Sequence, residues 1–206
     1  MSRAPLLLLL LAAACRSAAP ASPAPGAKAD APAPAAAAPP QQPTAEQACA
    51  VTTCRPPRTV TLVLDEEREM RQELPPFPYV YRDVVYLVPG DDFRLTGEVQ
   101  GDRLVNLRVV SEGESPVHVL RVRFSQELES GAAHQMVLAL DSTLPRALRY
   151  RASVLAAESK GFQPTASCPV PPGKSAYESW PQPLRTMVLE ELQLVDVAPG
   201  STPKCE

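Results

Sequence analysis

From residue 59 onward, apolar and polar positions alternate in short runs broken by turn residues. Thr59 to Leu64 is β-branched and opens just after Pro56-Pro57, which reads as a strand. Tyr79, Val80 and Tyr81 lead into Val84–Val88, a stretch closed by the turn signal Pro89-Gly90-Asp91. Phe93, Leu95, Gly97 and Val99 alternate with Arg94, Thr96 and Glu98; Val105, Leu107 and Val109 alternate with Asn106 and Arg108. Gln100-Gly101-Asp102 between them predicts a hairpin. His118, Leu120, Val122 and Phe124 share one strand face, with Arg121 and Arg123 on the other. A strand over 135–140 follows, and then Leu148, Tyr150, Ala152 and Val154 alternate with Arg149, Arg151 and Ser153. The last strand runs from about Thr186 to Val195, and Glu190-Glu191 interrupts its alternation, which predicts a bulge. Only 65–74, DEEREMRQEL, reads as a helix, ended by Pro75-Pro76.

Short strands joined by turns favour an antiparallel arrangement, since parallel strands need a long crossover between them. The expected fold class is all-β: an immunoglobulin-like antiparallel β-sandwich of about eight or nine strands, disulfide-braced, over residues 46–206. The buried tryptophan between two framework cysteines that marks antibody domains is missing, because Trp180 follows Cys168 in a proline-rich stretch. The likeness is therefore one of architecture, and architecture alone assigns no function. Cys49, Cys54, Cys168 and Cys205 are an even set in an exported chain and read as two disulfides. Three pairings are open. Cys49–Cys54 with Cys168–Cys205 is preferred because sequential cysteines meet first during export, and pairings that tie the chain ends together are the alternative.

The amino terminus is an address. Arg3 is the only charge before Leu6–Leu11, and Ala12, Ala13 and Ala14 lead into Cys15. The nine apolar residues of 6–14 fall short of the ~20 that a membrane-spanning helix needs; the pattern is a secretion signal. Leu11-Ala12-Ala13-Ala14-Cys15 resembles the lipobox of bacterial lipoproteins. That resemblance implies removal of a signal peptide over 1–14 and acylation, by palmitate-type chains, of the sulfur and new amino group of Cys15. Arg16, in place of an aspartate after the cysteine, resembles outer-membrane sorting, with the body facing the periplasm. Residues 15–45 are then a lipidated cysteine and a tether: 21 of residues 16–45 are Ala or Pro. Such a composition lacks the surface to build a core. It reaches at most ~90 Å as extended polyproline and nearer ~30 Å as a coil. No partner that reads PxxP segments is expected for it.

Charge and motifs narrow the chemistry. Residues 46–206 carry 17 basic and 22 acidic side chains, a net charge of about −5, which argues against nucleic-acid partners and a polybasic membrane surface. No G-x-S-x-G elbow occurs, Gly173-Lys174 lacks phosphate-loop spacing, and no H-E-x-x-H is present. His118 reads as a hydrogen-bonded core residue and His134 as exposed. Asp91, Asp92, Glu127 and Asp141 sit near predicted strand ends and are the carboxylates from which a glycosidase-like pair could be drawn. Asp65, Glu66, Glu67 and Glu69 interleave with Arg68 and Arg71 and read as a self-paired helix face rather than a calcium site. No catalytic residue, no metal and no cofactor are expected. A small periplasmic hydrolase using loop carboxylates is the alternative to a non-catalytic protein.

Two features suit binding. Arg94, Arg108, Arg121, Arg123, Arg149 and Arg151 all fall on predicted outward faces. They make either a guanidinium surface for carboxylates or phosphates, or a solvated face balanced by Glu98 and Glu127; the second is favoured. Tyr177 and Trp180 lie on the proline-rich segment 168–184, read as a stiff loop. Aromatic rings held there stack on sugars or anchor a partner, unless Trp180 folds back to plug the sandwich, which is favoured. The expected partners are the membrane, through the lipid, and an envelope protein or glycan.

Overall fold

The computed structural model describes residues 44–127, 135–198 and Cys205. Cys15, the predicted signal peptide and tether up to residue 43, and His134 lie outside the described residues.

A single helical turn, α1 (Ala45–Cys49), opens the described chain. Thr44 caps it: its hydroxyl accepts from the Gln47 N–H while the Gln47 side chain accepts from the Thr44 N–H. The strands then follow: β1 (Cys54–Arg55), β2 (Arg58–Val63), β3 (Glu69–Leu74), β4 (Phe77–Pro78), β5 (Val80–Tyr81), β6 (Val84–Leu87) and β7 (Asp91–Gln100). After these come β8 (Arg103–Val109), β9 (Leu120–Glu127), β10 (Gln135–Ser142), β11 (Ala147–Ala156), β12 (Gln163–Thr165), β13 (Ser175–Trp180) and β14 (Leu184–Val195).

Ten strands form one antiparallel sheet in the order β12-β11-β14-β8-β7-β9-β10-β13, with β6 also on β14 and β5 on β6. Strands β14 and β8 meet through one pair, Gln193 with Arg103, so the sheet turns over there. The two stretches bury one core between them. Leu120, Val122, Phe124, Leu138 and Leu140 come from one stretch, and Leu148, Tyr150, Met187, Leu189 and Leu194 from the other. Each fully buried side chain of this kind contributes ~1.5–3 kcal/mol of transfer free energy. At the far edge the stretches are stitched by polar contacts: the Tyr150 hydroxyl donates to Glu178 at 2.7 Å, and Trp180 Nε1 donates to Thr165 at 2.9 Å. This is the expected all-β, antiparallel, disulfide-braced sandwich. The described residues hold fourteen strands rather than eight or nine, because the chain adds two-residue strands such as β1, β4 and β5.

The disulfides are Cys49–Cys54 and Cys168–Cys205, the preferred pairing. The second closes a separation of 37 residues and ties the chain end to the body; loop closure of that length contributes ~3–4 kcal/mol.

Three local expectations are corrected. Residues 65–74 are not a helix. Asp65 accepts from the N–H groups of Glu67 and Arg68, which closes a turn, and 69–74 is β3, paired along β2 from Val63–Glu69 to Arg58–Leu74. Met70, Gln72 and Leu74 are half-buried while Glu69, Arg71 and Glu73 are exposed, a period of two beneath the helix-forming composition. Next, Asn106 (φ 51°) is an extra residue in β8: Glu98 pairs with Val105 but Thr96 pairs with Arg108. The bulge switches the inward face, so Leu104, not Val105, joins Leu107 in the core. Third, the segment 168–184 is not a loop throughout, since 175–180 forms β13. The bulge expected at Glu190-Glu191 is present: Arg149 pairs with Gln193, Arg151 pairs with Glu190, and Glu191 has φ 52°.

Candidate functional site

The outer face of β7, β9, β10 and β13 gathers part of the predicted set. Cross-strand register lays Asp92, Arg123, Ala139 and Tyr177 in one row, and Arg94, Arg121, Asp141 and Ser175 in the next. Ala139 is small enough to be covered by its neighbours and is 5% exposed; Tyr177 stands 66% exposed beside it.

These arginines do not form an open cationic patch. Arg121 holds Asp92 in a two-pronged contact, Nε at 2.9 Å and NH2 at 2.7 Å. That contact keeps the Asp92 carboxyl below its ordinary range and raises the Arg121 guanidinium. Arg123 reaches Asp141 at 3.2 Å, and Ser175 donates to the other Asp141 oxygen. The Arg123 Nε is buried with no partner among the described residues. Arg108, on the adjoining β8, pairs with Glu114 at 2.7 Å, and that contact depresses the Glu114 carboxyl. The partners are not the expected Glu98 and Glu127: Asp92, Asp141 and Glu114 pair with Arg121, Arg123 and Arg108, while Glu98 accepts from Asn106. Solvent screens exposed pairs of this kind, so they set shape and charge pattern more than stability.

Arg149 and Arg151 belong elsewhere. They lie on β11, where Arg149 donates to Gln193 at 2.8 Å and Arg151 to Glu191 at 2.9 Å, in the other stretch of the sheet. Tyr177 and Trp180 are also separated. Alternation along β13 turns Tyr177 outward and Trp180 inward, where its ring packs on the core. They make no joint aromatic platform; Trp180 is the plug.

The candidate acids are bound up in the same way. Asp91, 4% exposed, accepts from Arg55 Nε (3.3 Å) and NH2 (2.8 Å), Arg58 NH2 (2.7 Å) and the Val88 N–H (2.8 Å). Arg55 is 1% exposed and also donates to the carbonyls of Phe77, Pro78 and Tyr86, with the Tyr79 ring 4.3 Å away. Burial lowers the Arg55 pKa and Asp91 opposes the shift. This buried Arg55–Asp91–Arg58 cluster fastens the segment after Cys54 to the sandwich, and sequence reading missed it. Glu127 closes β9 opposite Gln135. His118 is half-buried just before β9; its carbonyl accepts from Thr96 and its Nδ1 is buried with no partner among the described residues. Asp65 spends both carboxylate oxygens on Arg68 and the turn N–H groups.

Comparison with family models, with curated proteins and with solved structures found no match for this chain.

Proposed function

We propose that this chain is a non-catalytic envelope lipoprotein. Acyl chains on Cys15 hold it to the outer membrane, the Ala/Pro-rich tether carries the sandwich into the periplasm, and the outer face of β7, β9, β10 and β13 receives a protein or glycan partner. The observation that carries the reading is Tyr177: a large aromatic side chain, two-thirds exposed, on the edge strand β13, with each residue of that strand paired to β10 and Arg123 one strand further along the same row. An exposed aromatic ring on rigid backbone, rimmed by charged pairs, is the usual anatomy of a binding hot spot. Three of the four carboxylates that a hydrolase would recruit, Asp91, Asp92 and Asp141, are held by arginines instead. Two acyl chains suffice for stable anchoring where one is marginal.

The test is photocrosslinking in cells from position 177 of the full chain, with position 151, on the other stretch of the sheet, as control. The reading expects one defined adduct from 177 and none from 151. Turnover of ester, peptide or glycoside substrates that depends on Glu127 or Asp141, or equal capture from both positions, rejects it.

A further inference from the structure

Arg82 and Asp83 form the two-residue turn between β5 and β6, with Tyr81 paired to Val84. Both have left-handed backbone, at φ 51° and 60°. A turn of this hand normally recruits Asn-Gly, and a residue that carries a Cβ is strained there. The turn is nonetheless fixed: Asp83 accepts from the Leu107 N–H at 2.9 Å, next to the bulged Asn106. The bulged Glu191 of β14 lines the same hollow as Arg82 and Asp83, about 280 Å³ in volume. All four left-handed, non-glycine residues among those described thus converge on one place. Bulges and strained turns re-aim side chains, and at this place they hold Arg82 between two hollows.

The second hollow, about 360 Å³, lies on the other side of Arg82 and is walled by the rings of Phe77, Tyr81 and Tyr86. Its size suits a small ligand. The hydroxyls of Tyr81 and Tyr86 make no hydrogen bond among the described residues, and Arg82 touches only the Tyr81 ring, at 5.2 Å. In the first hollow, Arg103 and Glu190 likewise have no ion pair or side-chain hydrogen bond among the described residues. Glu190 is near enough to Tyr86 to raise its phenol further, after burial. The free groups are therefore mixed: phenols and guanidiniums that donate, and carboxylates that accept. Arg82 and Arg103 face Asp83 and Glu190, while Arg151 neutralises Glu191, so no net charge favours an anion or a cation.

Hydroxyl groups both donate and accept, and pyranose faces stack on aromatic rings. We propose that the two hollows flanking Arg82 form one binding site for a neutral oligosaccharide, with a sugar ring against Tyr81 and Tyr86 and its hydroxyls on Arg82, Arg103 and Glu190. The site is separate from the Tyr177 face and does not rest on the lipid anchor.

The test is calorimetric titration of the full chain, in a detergent without a sugar headgroup, with cellohexaose, chitohexaose and maltohexaose, and with an oligogalacturonate as anionic control. At least one neutral hexaose is expected to bind with Kd below ~1 mM. Tyr81→Ala should weaken it by about tenfold or more. Arg82→Gly removes the guanidinium while suiting the left-handed turn; it should weaken binding without lowering stability. Val117→Ala, at an exposed position that lines neither hollow, should leave binding unchanged. The proposal is overturned if no neutral hexaose binds, if the anionic control binds tightest, if both hollow variants bind like the parent, or if Tyr177→Ala weakens binding more than they do.

Discussion

Arg55 is the residue on which the amino-terminal segment turns. Its guanidinium is sealed in, yet its donors are spent on Asp91 and three carbonyls. A buried pair is worth little against a hydrophobic replacement, but breaking it strands a charge. Asp91→Ala is therefore expected to lower unfolding free energy by ~3–5 kcal/mol. Arg55→Met combined with Asp91→Leu should recover much of that loss; urea unfolding measures both, and a loss under ~1 kcal/mol in the single variant contradicts the role. Tyr150 makes the opposite kind of statement. Burial, and then Glu178, push its phenol far above the ordinary value of 10. The neutral form is thus favoured in the fold, so the stabilisation is complete below pH ~10 and is lost as pH rises beyond it. Stability measured against pH should fall above pH ~10, and less steeply in Tyr150→Phe; equal slopes contradict the assignment.

Among the elements, alternation carried most of the reading. The β7–β8 hairpin and the inward faces of β9 and β11 lie where Phe93, Leu95, Leu120, Val122, Leu148 and Tyr150 placed them. The failures have physical causes. In 65–74, glutamates and arginines at helical spacing hid a two-residue period, and pairing along β2 overrode propensity. Asn106 adds a residue that no periodicity reports, although asparagine tolerates left-handed backbone. The β5–β6 turn carries neither Gly nor Asn, so nothing in Arg82-Asp83 announces it. Arg55 and Asp91 are 36 residues apart, and only the fold brings them together. Of the candidate binding face, the outward arginines were legible, but their carboxylate partners depend on register, which sequence does not fix. Gly97 shows how tight that register is: a Cβ there would lie 2.8 Å from the Val105 carbonyl and 2.9 Å from Leu107 Cδ2. Gly97→Ala should cost ~1–3 kcal/mol through overpacking. Gly101→Ala, in open space at φ 65°, should cost about 1 kcal/mol through backbone strain alone. Similar melting midpoints for Gly97→Ala and the parent would contradict the close approach.

For the whole molecule, Cys49–Cys54 and Cys168–Cys205 brace the sandwich, and the proposed lipid lies across an Ala/Pro-rich run of sequence from it. The described residues contain no helix long and apolar enough to cross a membrane; the attachment proposed above is through Cys15. The most direct measurement is the intact mass and first residue of the mature protein recovered from cell membranes. The expected mature chain begins at Cys15 and carries a diacylglyceryl group with an amide-linked acyl chain. A chain that begins at any other residue, or at Cys15 with a free thiol and a free amine, would contradict it.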